Sequence, residues 1–269
     1  MPSILPGMRS DRLFNWAVLS ALSILVFLLV LLVISLVAIT DLHLFVGSLL
    51  SDEVRFAICL SLITATISTV LAVIIAIPVA YAVSRFRFPG KDIVDSLLDL
   101  PIVLPPVALG AALLIFFNTP VGGFIDKQVI RFSFAVPGIV LAQVAVVTAL
   151  AVRLLKSTFD GIDPRYEHVS RTLGCNKFRA FIKVTLPLAR NGLISATIIT
   201  WARAVGEFGA TMMLAGATFM KTETLPIAIA LSLGSADVNK AIALIFILII
   251  IAMIALFIMR KVMHGSYHL

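Results

Sequence analysis

The sequence predicts an all-α, polytopic membrane protein with six transmembrane helices. Three observations carry that expectation. Of the 269 residues, 61% are hydrophobic and only 13% charged; mean hydropathy is +1.12; and the apolar residues fall into long runs separated by short polar segments. A soluble domain carries roughly 25% charged and 45–50% apolar residues, so this chain lacks the polar surface to face water on all sides. The net charge of +7 would suggest nucleic acid in a soluble protein. Basic residues gathered on one side of a membrane account for it here, and no nucleic-acid partner is expected.

The runs cover Phe14 to Ile39, Phe56 to Val83, Pro101 to Phe117, Phe134 to Leu155, Leu188 to Leu214 and Ala241 to Met259. A helix rising 1.5 Å per residue needs ~20 residues to cross hydrocarbon, and each run approaches or exceeds that length. The first is too long for the ~7–15-residue core of a cleaved signal peptide and lacks a small-residue cleavage site, so it is expected to remain as a helix. The third is the shortest. Its entry, "DLPIVLPPVALG", places Pro101, Pro105 and Pro106 at the expected helix start, where missing N–H groups cost least. Pro78 and Pro137 lie within or near the start of other runs and predict local kinks. In the second run Ser61, Thr64 and Ser68 form a small polar stripe suited to helix packing.

Orientation follows from the Lys and Arg residues. With the N-terminus inside, 15 of the 21 basic residues fall on inner segments and 5 on outer ones, leaving Arg203 within a run. This bias predicts that both termini are cytoplasmic, in agreement with an even helix number. The outer segment Gly216 to Lys240 contains "TLPIAIALSLGSAD", too short to span. It reads as a re-entrant or interfacial helix, or else as a packed one. Cys59 lies in an apolar run and Cys175 in a polar segment, which argues against a disulfide, and no metal site is expected.

The fifth run, "ITWARAVGEFGATMMLAG", holds the only ionisable residues deep in any span, Arg203 and Glu207, four positions apart on one helical face. Arg203 is roughly 20 Å along the helix from Arg190, near mid-membrane. Each charge alone would cost ~2.5–3.5 kcal/mol there, so they should face each other, protein or water. Two readings remain open: a self-satisfying structural ion pair, or a pair that lines or gates a transport path. Gly209, with Gly206 and Gly216, allows close backbone approach.

Between the fourth and fifth runs lies a cytoplasmic island, "FDGIDPRYEHVSRTLGCNKFRAFIKVTLPLARNG". Asp163 as N-cap with Pro164 at the first helical position, and Gly174 as a left-handed C-cap, mark a helix of about ten residues. Tyr166, Val169, Ser170 and Leu173 share one face, and Glu167 is placed to pair with Arg171. Asn176 can cap a second helix with Phe178, Phe181 and Ile182 on one side and Lys177, Arg179 and Lys183 on the other, closed by Pro187. The second helix suits an anionic lipid surface. The first, mixed in charge, suits a protein partner.

These residues resemble the transmembrane permease subunits of ATP-binding-cassette importers. The family signature is EAA, three residues, glycine, nine residues, then I-x-L-P. Gly174 is followed by nine residues and then by Val184, Thr185, Leu186 and Pro187. The EAA positions hold His168, Val169 and Ser170, with Glu167 one residue earlier. "LPPVALG" at Leu104 to Gly110 and "ARAVGEFGATMMLAG" at Ala202 to Gly216 look like the molybdate/tungstate permeases, with sulfate permeases close behind. A stand-alone secondary transporter or channel using Arg203 and Glu207 is the alternative of another class, disfavoured by the lack of an internal repeat.

The resemblance implies a non-catalytic permease subunit of the cell membrane. Residues 1–55 would form the first span and outer loop, 56–259 the permease core with a coupling segment at 156–190, and 260–269 a cytoplasmic tail. It implies a homodimer, two cytoplasmic ATPases that bind ATP and Mg, and an external oxyanion-binding protein. The chain has no GxxxxGK[ST] phosphate loop of its own. The ATPase-coupling residues implied are Asp163, Pro164, Arg165, Glu167, His168, Val169, Arg171, Gly174, Leu186 and Pro187. Arg203, Glu207 and Gly209 are candidates for the pathway or gate.

Overall fold

The computed structural model describes residues 7–39 and 42–264, and no strand occurs among them. The helices are α1 (Gly7–Ile39), α2 (Leu42–Leu49), α3 (Asp52–Arg85), α4 (Lys91–Val103), α5 (Pro106–Phe117), α6 (Pro120–Gln128) and α7 (Val136–Asp160). They continue as α8 (Arg165–Thr172), α9 (Lys177–Ala180), α10 (Leu186–Leu188), α11 (Arg190–Val205), α12 (Gly209–Ala215), α13 (Leu225–Gly234) and α14 (Val238–His264). The last five residues of the expected cytoplasmic tail lie outside the described part.

The core forms where α3 and α7 pack along their length, joined by α11 and α12. Small side chains make the contact: Ala65, Ala72, Ala76 and Ala80 of α3 and Ala142 and Ala151 of α7 are fully buried. Alanine lets helix axes approach closely, which replaces the hydrophobic drive that lipid cannot supply. The polar stripe predicted on the second run is buried here as well. Ser68 Oγ donates to Gln143 Oε1 at 2.8 Å, and Ser61 Oγ accepts from the Leu225 amide at 2.7 Å. In contrast, the described side chains of α1 from Phe14 to Ile39 are exposed, apart from half-buried Leu36. A helix apolar all round suits a lipid or protein environment rather than water.

Among the described residues, four helices are long and apolar enough to span a membrane: Phe14–Ile39, Asp52–Arg85, Val136–Asp160 and Val238–Lys261. A fifth span exists if α4 and α5 count as one, and these two meet at a bend of 106°. The expected third run, with three prolines at its start, is corrected in its boundary: the apolar stretch is divided between α4 and α5. Pro101 lies inside α4, not at a helix start, the break falls at Leu104 and Pro105, and Pro106 opens α5. A residue before proline is pushed to extended backbone, and Leu104 has ψ 135°. α3 runs unbroken through Pro78, and Pro137 sits in the first turn of α7.

The fifth run also departs from expectation. It divides into α11 and α12 at Gly206, Glu207 and Phe208, so Arg203 and Glu207 do not share one continuous helix. The apolar outer segment forms α13, whose Leu225, Ile227 and Ala228 are buried against α3 and α14, which makes it a packed helix.

α5 and α12 cross at glycine. A Cβ on Gly110 would lie 2.6 Å from the Ala210 Cα and carbonyl oxygen, backbone atoms that cannot turn away. Gly209 is buried against Val107 of α5 in the same crossing. Gly110→Ala is therefore expected to cost about 1–3 kcal/mol by overpacking, read as a lower thermal unfolding midpoint in detergent.

Candidate functional site

The segment between α7 and α11, expected to couple to an ATPase, is built on sharp local signals. Asp163 Oδ1 accepts the Arg165 amide at 2.8 Å, and the amides of Tyr166 and His168 already donate to the carbonyls of Asp163 and Pro164. At the other end the Gly174 amide donates to Arg171 O and the Cys175 amide to Ser170 O, the paired bonds of a Schellman cap. Gly174 has φ +91°, as that cap requires. Gly174→Ala meets open space but a left-handed backbone, and is expected to cost about 1–2 kcal/mol. Unfolding midpoints of the two proteins check this.

α8 is eight residues long, slightly shorter than expected. Tyr166, Val169 and Leu173 lie on its open side, exposed at 58%, 59% and 81%. Arg165, His168 and Arg171 are exposed beside them, as are Asp163 and Pro164. Leu186 is half-buried and Pro187 exposed at the return to the core.

Glu167 does not belong to this open surface, and the expected Glu167–Arg171 pair is corrected. Glu167 is only 8% exposed and turns into the protein. Its Oε1 accepts from Arg85 Nε at 3.0 Å and Thr185 Oγ1 at 2.8 Å, and its Oε2 accepts from the Tyr81 hydroxyl at 2.7 Å. Arg85 also donates from Nη2 to the Ile162 carbonyl at 2.7 Å. One carboxylate thus ties α8 to the end of α3 and to Thr185. Burial alone would raise the Glu167 carboxyl, but the hydrogen bonds from Tyr81, Thr185 and Arg85 outweigh it and hold the group below the usual carboxylate range.

Asn176 caps α9 through the Arg179 amide at 2.8 Å. The chain then passes through a π-helical turn, Phe181–Thr185. The expected common face of Phe178, Phe181 and Ile182 is divided. Phe181 packs against Tyr81 with ring centroids 4.6 Å apart, whereas Phe178 is 70% exposed. The wider π turn rotates side chains out of the α-helical register, and it delivers buried Thr185 to Glu167.

In the broken fifth run, Glu207 is 1% exposed and its Oε1 accepts the Ala210 amide at 3.0 Å, capping α12. Its Oε2 lies 2.6 Å from Nη1 of Arg203, whose side chain is 37% exposed. The ion pair foreseen from sequence forms, with Glu207 anchored in the break and Arg203 reaching toward open space. Gln143 Nε2 donates to the Ala204 carbonyl at 3.1 Å, fixing the end of α11 to α7.

Sequence reasoning did not find two sets of polar residues. Tyr81, Arg85 and Thr185 surround Glu167 although they come from distant parts of the chain. Arg153 of α7 binds both carboxylate oxygens of Asp99, along with Asp95 Oδ1 at 3.0 Å and the Asp95 carbonyl at 2.8 Å. This is the chief polar anchor of α4, a helix with no buried residue. The spacing of Asp92, Asp95 and Asp99 on one helical face was the available signal.

A bundle of apolar helices around a broken, charge-bearing helix, with a capped and exposed short helix between two of its members, defines a membrane permease subunit. The chain belongs to the family described as binding-protein-dependent transport system inner membrane component, which it matches over residues 68–264. A probable molybdenum ABC transporter permease protein of Haloferax volcanii is 39% identical over 71% of this chain and 69% of its own. The molybdate/tungstate transport system permease protein WtpB of Thermococcus kodakarensis is 34% identical over 77% and 80%. Among solved structures, a chain of a bacterial alginate ABC transporter in complex with an alginate pentasaccharide-bound periplasmic protein shares the fold. Its TM-score is 0.74, covering 97% of this chain and 96% of that chain at 17% identity.

Proposed function

We propose that this chain is the membrane-spanning subunit of an ATP-driven importer of molybdate or tungstate. The molybdenum and molybdate/tungstate permeases among its relatives support the cargo, and the exposed apolar side of α8 carries the mechanism. An amphipathic helix that presents tyrosine, valine and leucine outward, on a rigid mount, is suited to a groove on a protein partner. In this reading two copies of the chain, with six spans each and both termini cytoplasmic, sit on two cytoplasmic ATPases that bind ATP and Mg. An external binding protein delivers the oxyanion. The chain itself carries out no hydrolysis.

The coupling residues then divide by role. Tyr166, Val169 and Leu173, flanked by Arg165, His168 and Arg171, meet the ATPase. Asp163, Pro164 and Gly174 set the ends of the helix, and Leu186 and Pro187 lead back to the core. Glu167 transmits displacement of α8 to α3 through Arg85 and Tyr81. Because α3, α7 and α11 are packed through small buried residues, the bundle moves as a body rather than deforming. The Arg203–Glu207 pair sits at the break of the fifth run, where such a motion alters the alignment of α11 and α12, and Gly209 lets α12 stay close to α5.

Reconstitution into liposomes with the partner ATPase and binding protein tests the assignment. ATP-dependent uptake of molybdate or tungstate is the expected result, and uptake by this chain alone would overturn it. Calorimetry of the partner binding protein with molybdate, tungstate and sulfate identifies the cargo. Retention of sulfate in preference to the other two would overturn the molybdate/tungstate assignment.

A further inference from the structure

The loop between α12 and α13 holds a carboxyl group that the proposed transport mechanism does not use. Glu223 is fully buried, and its Oε2 accepts the Met220 amide at 3.1 Å. That bond holds Met220 in a left-handed turn with φ 51°. The other oxygen, Oε1, receives no donor. A second carboxyl, Glu53 of α3, acts on Glu223 and is itself ion-paired with Lys240 of α14. Two carboxylates are both acceptors, and a contact between them requires a proton or a cation. Lys240 already supplies the positive charge to Glu53, which disfavours a metal ion beside it.

We propose that Glu53 and Glu223 form a proton-binding pair that shares one proton and fastens the loop 216–224 to α3 and α14. Loss of the proton to solvent leaves two neighbouring carboxylates with one lysine, Lys240, paired to Glu53, and the loop loosens. The titratable groups beside Glu53 and Lys240 are His43 on α2 and Asp237 before α14; Lys221 on the loop is exposed, and Asp52 and Arg55 of α3 pair with each other at the surface. Asp237 is committed to capping α14 through the Lys240 amide. α13 contributes no titratable group.

Burial, reinforced by Glu53, pushes the Glu223 carboxyl above its usual range, against the opposing pull of the Met220 amide and Lys240. The folded state therefore binds more protons than the unfolded state above the ordinary glutamate value of about 4.3. The stabilisation is full below that value and is lost as pH rises through the folded-state value. Glu53 is 32 positions from Arg85 on one helix, roughly 48 Å, so the pair lies at the end of α3 remote from the coupling segment.

The test is thermal unfolding of the full-length protein in lipid nanodiscs as a function of pH. The wild-type midpoint is expected to fall as pH is raised from the ordinary glutamate value of about 4.3 through the higher folded-state value of Glu223. Glu223→Gln, whose amide can donate to Glu53 and accept from Met220, is expected to remove most of that slope and to exceed wild type at alkaline pH. His43→Gln is expected to keep the wild-type slope. Equal slopes in wild type and Glu223→Gln, or loss of the slope in His43→Gln, would overturn the proposal. If Glu223→Gln does not fold, infrared spectroscopy of the wild type decides: a protonated-carboxyl band that persists above the ordinary glutamate value of about 4.3 and disappears at higher pH is expected, and its absence refutes the shared proton. Stabilisation by sodium or magnesium at fixed pH and ionic strength, absent in Glu223→Gln, would assign the site to a metal ion instead.

Discussion

Glu167→Ala should cost the folded protein about 3–5 kcal/mol, the usual consequence of removing one partner from a buried ion pair. Arg85, with its side chain only 10% exposed, would be left without its carboxylate. The Tyr81 hydroxyl and Thr185 Oγ1 would lose their acceptor at the same time. Because these bonds join α8 to α3, the mutation should also separate ATP hydrolysis from uptake. In reconstituted vesicles the ATPase is expected to remain active while substrate no longer stimulates it and uptake falls at least tenfold. Glu167→Gln keeps acceptors but not the charge, and should lie between. Tyr81→Phe should couple energetically with Glu167→Gln in a double-mutant cycle, whereas Arg171→Ala, on the open surface, should not. A carboxyl held below its ordinary range contributes stability that is present above the unfolded value and lost as pH falls through the folded one. The wild type should accordingly lose stability on acidification, and Glu167→Gln should show less of that loss. Normal substrate-stimulated hydrolysis in Glu167→Ala would refute the transmission role.

Glu207→Ala should be the second severe substitution, because it removes two supports of the broken helix at once. The Ala210 amide at the start of α12 would lose its acceptor, and Arg203 would lose the carboxylate 2.6 Å away. A hydrogen bond to a charged group is worth roughly 1.5–3 kcal/mol, and partial exposure of Arg203 favours the lower figure for the ion pair. Glu207→Gln preserves an acceptor for the cap while abolishing the charge, so the two variants separate structure from transport. Both should assemble with the ATPase, since α8 is untouched. Uptake should fall strongly in Glu207→Gln while its unfolding midpoint stays close to wild type. Unchanged uptake in Glu207→Gln would leave the pair as a structural brace and nothing more.

The segment from Asp163 to Pro187 was largely legible from the sequence because its signals act over a few residues. An aspartate beside a proline, a glycine that must be left-handed, and an asparagine followed by a short apolar and basic stretch each produced the predicted cap. The error at Glu167 has the same origin. Arg171, four residues away, was the nearest cation along the helix, but Arg85, 82 positions away in the chain, arrives from behind and is less accessible to water. In a low-dielectric setting the buried partner wins over the exposed one. Proline gave a similar mixture: the break before Pro106 was visible, whereas the 106° bend and the packing of α5 against α12 were not.

The sequence by itself determined that this is a membrane protein of apolar helices with one capped helix in a polar connection, and through its spacing it pointed to the importer family. Those properties follow from hydropathy and backbone caps, which operate locally. The tertiary structure alone decided which way Glu167 faces, where the fifth run breaks, that Arg153 anchors α4, and that Glu223 is buried. Buried polar groups must find partners wherever the packed helices bring them, and that pairing is a property of the assembled bundle rather than of any stretch of chain.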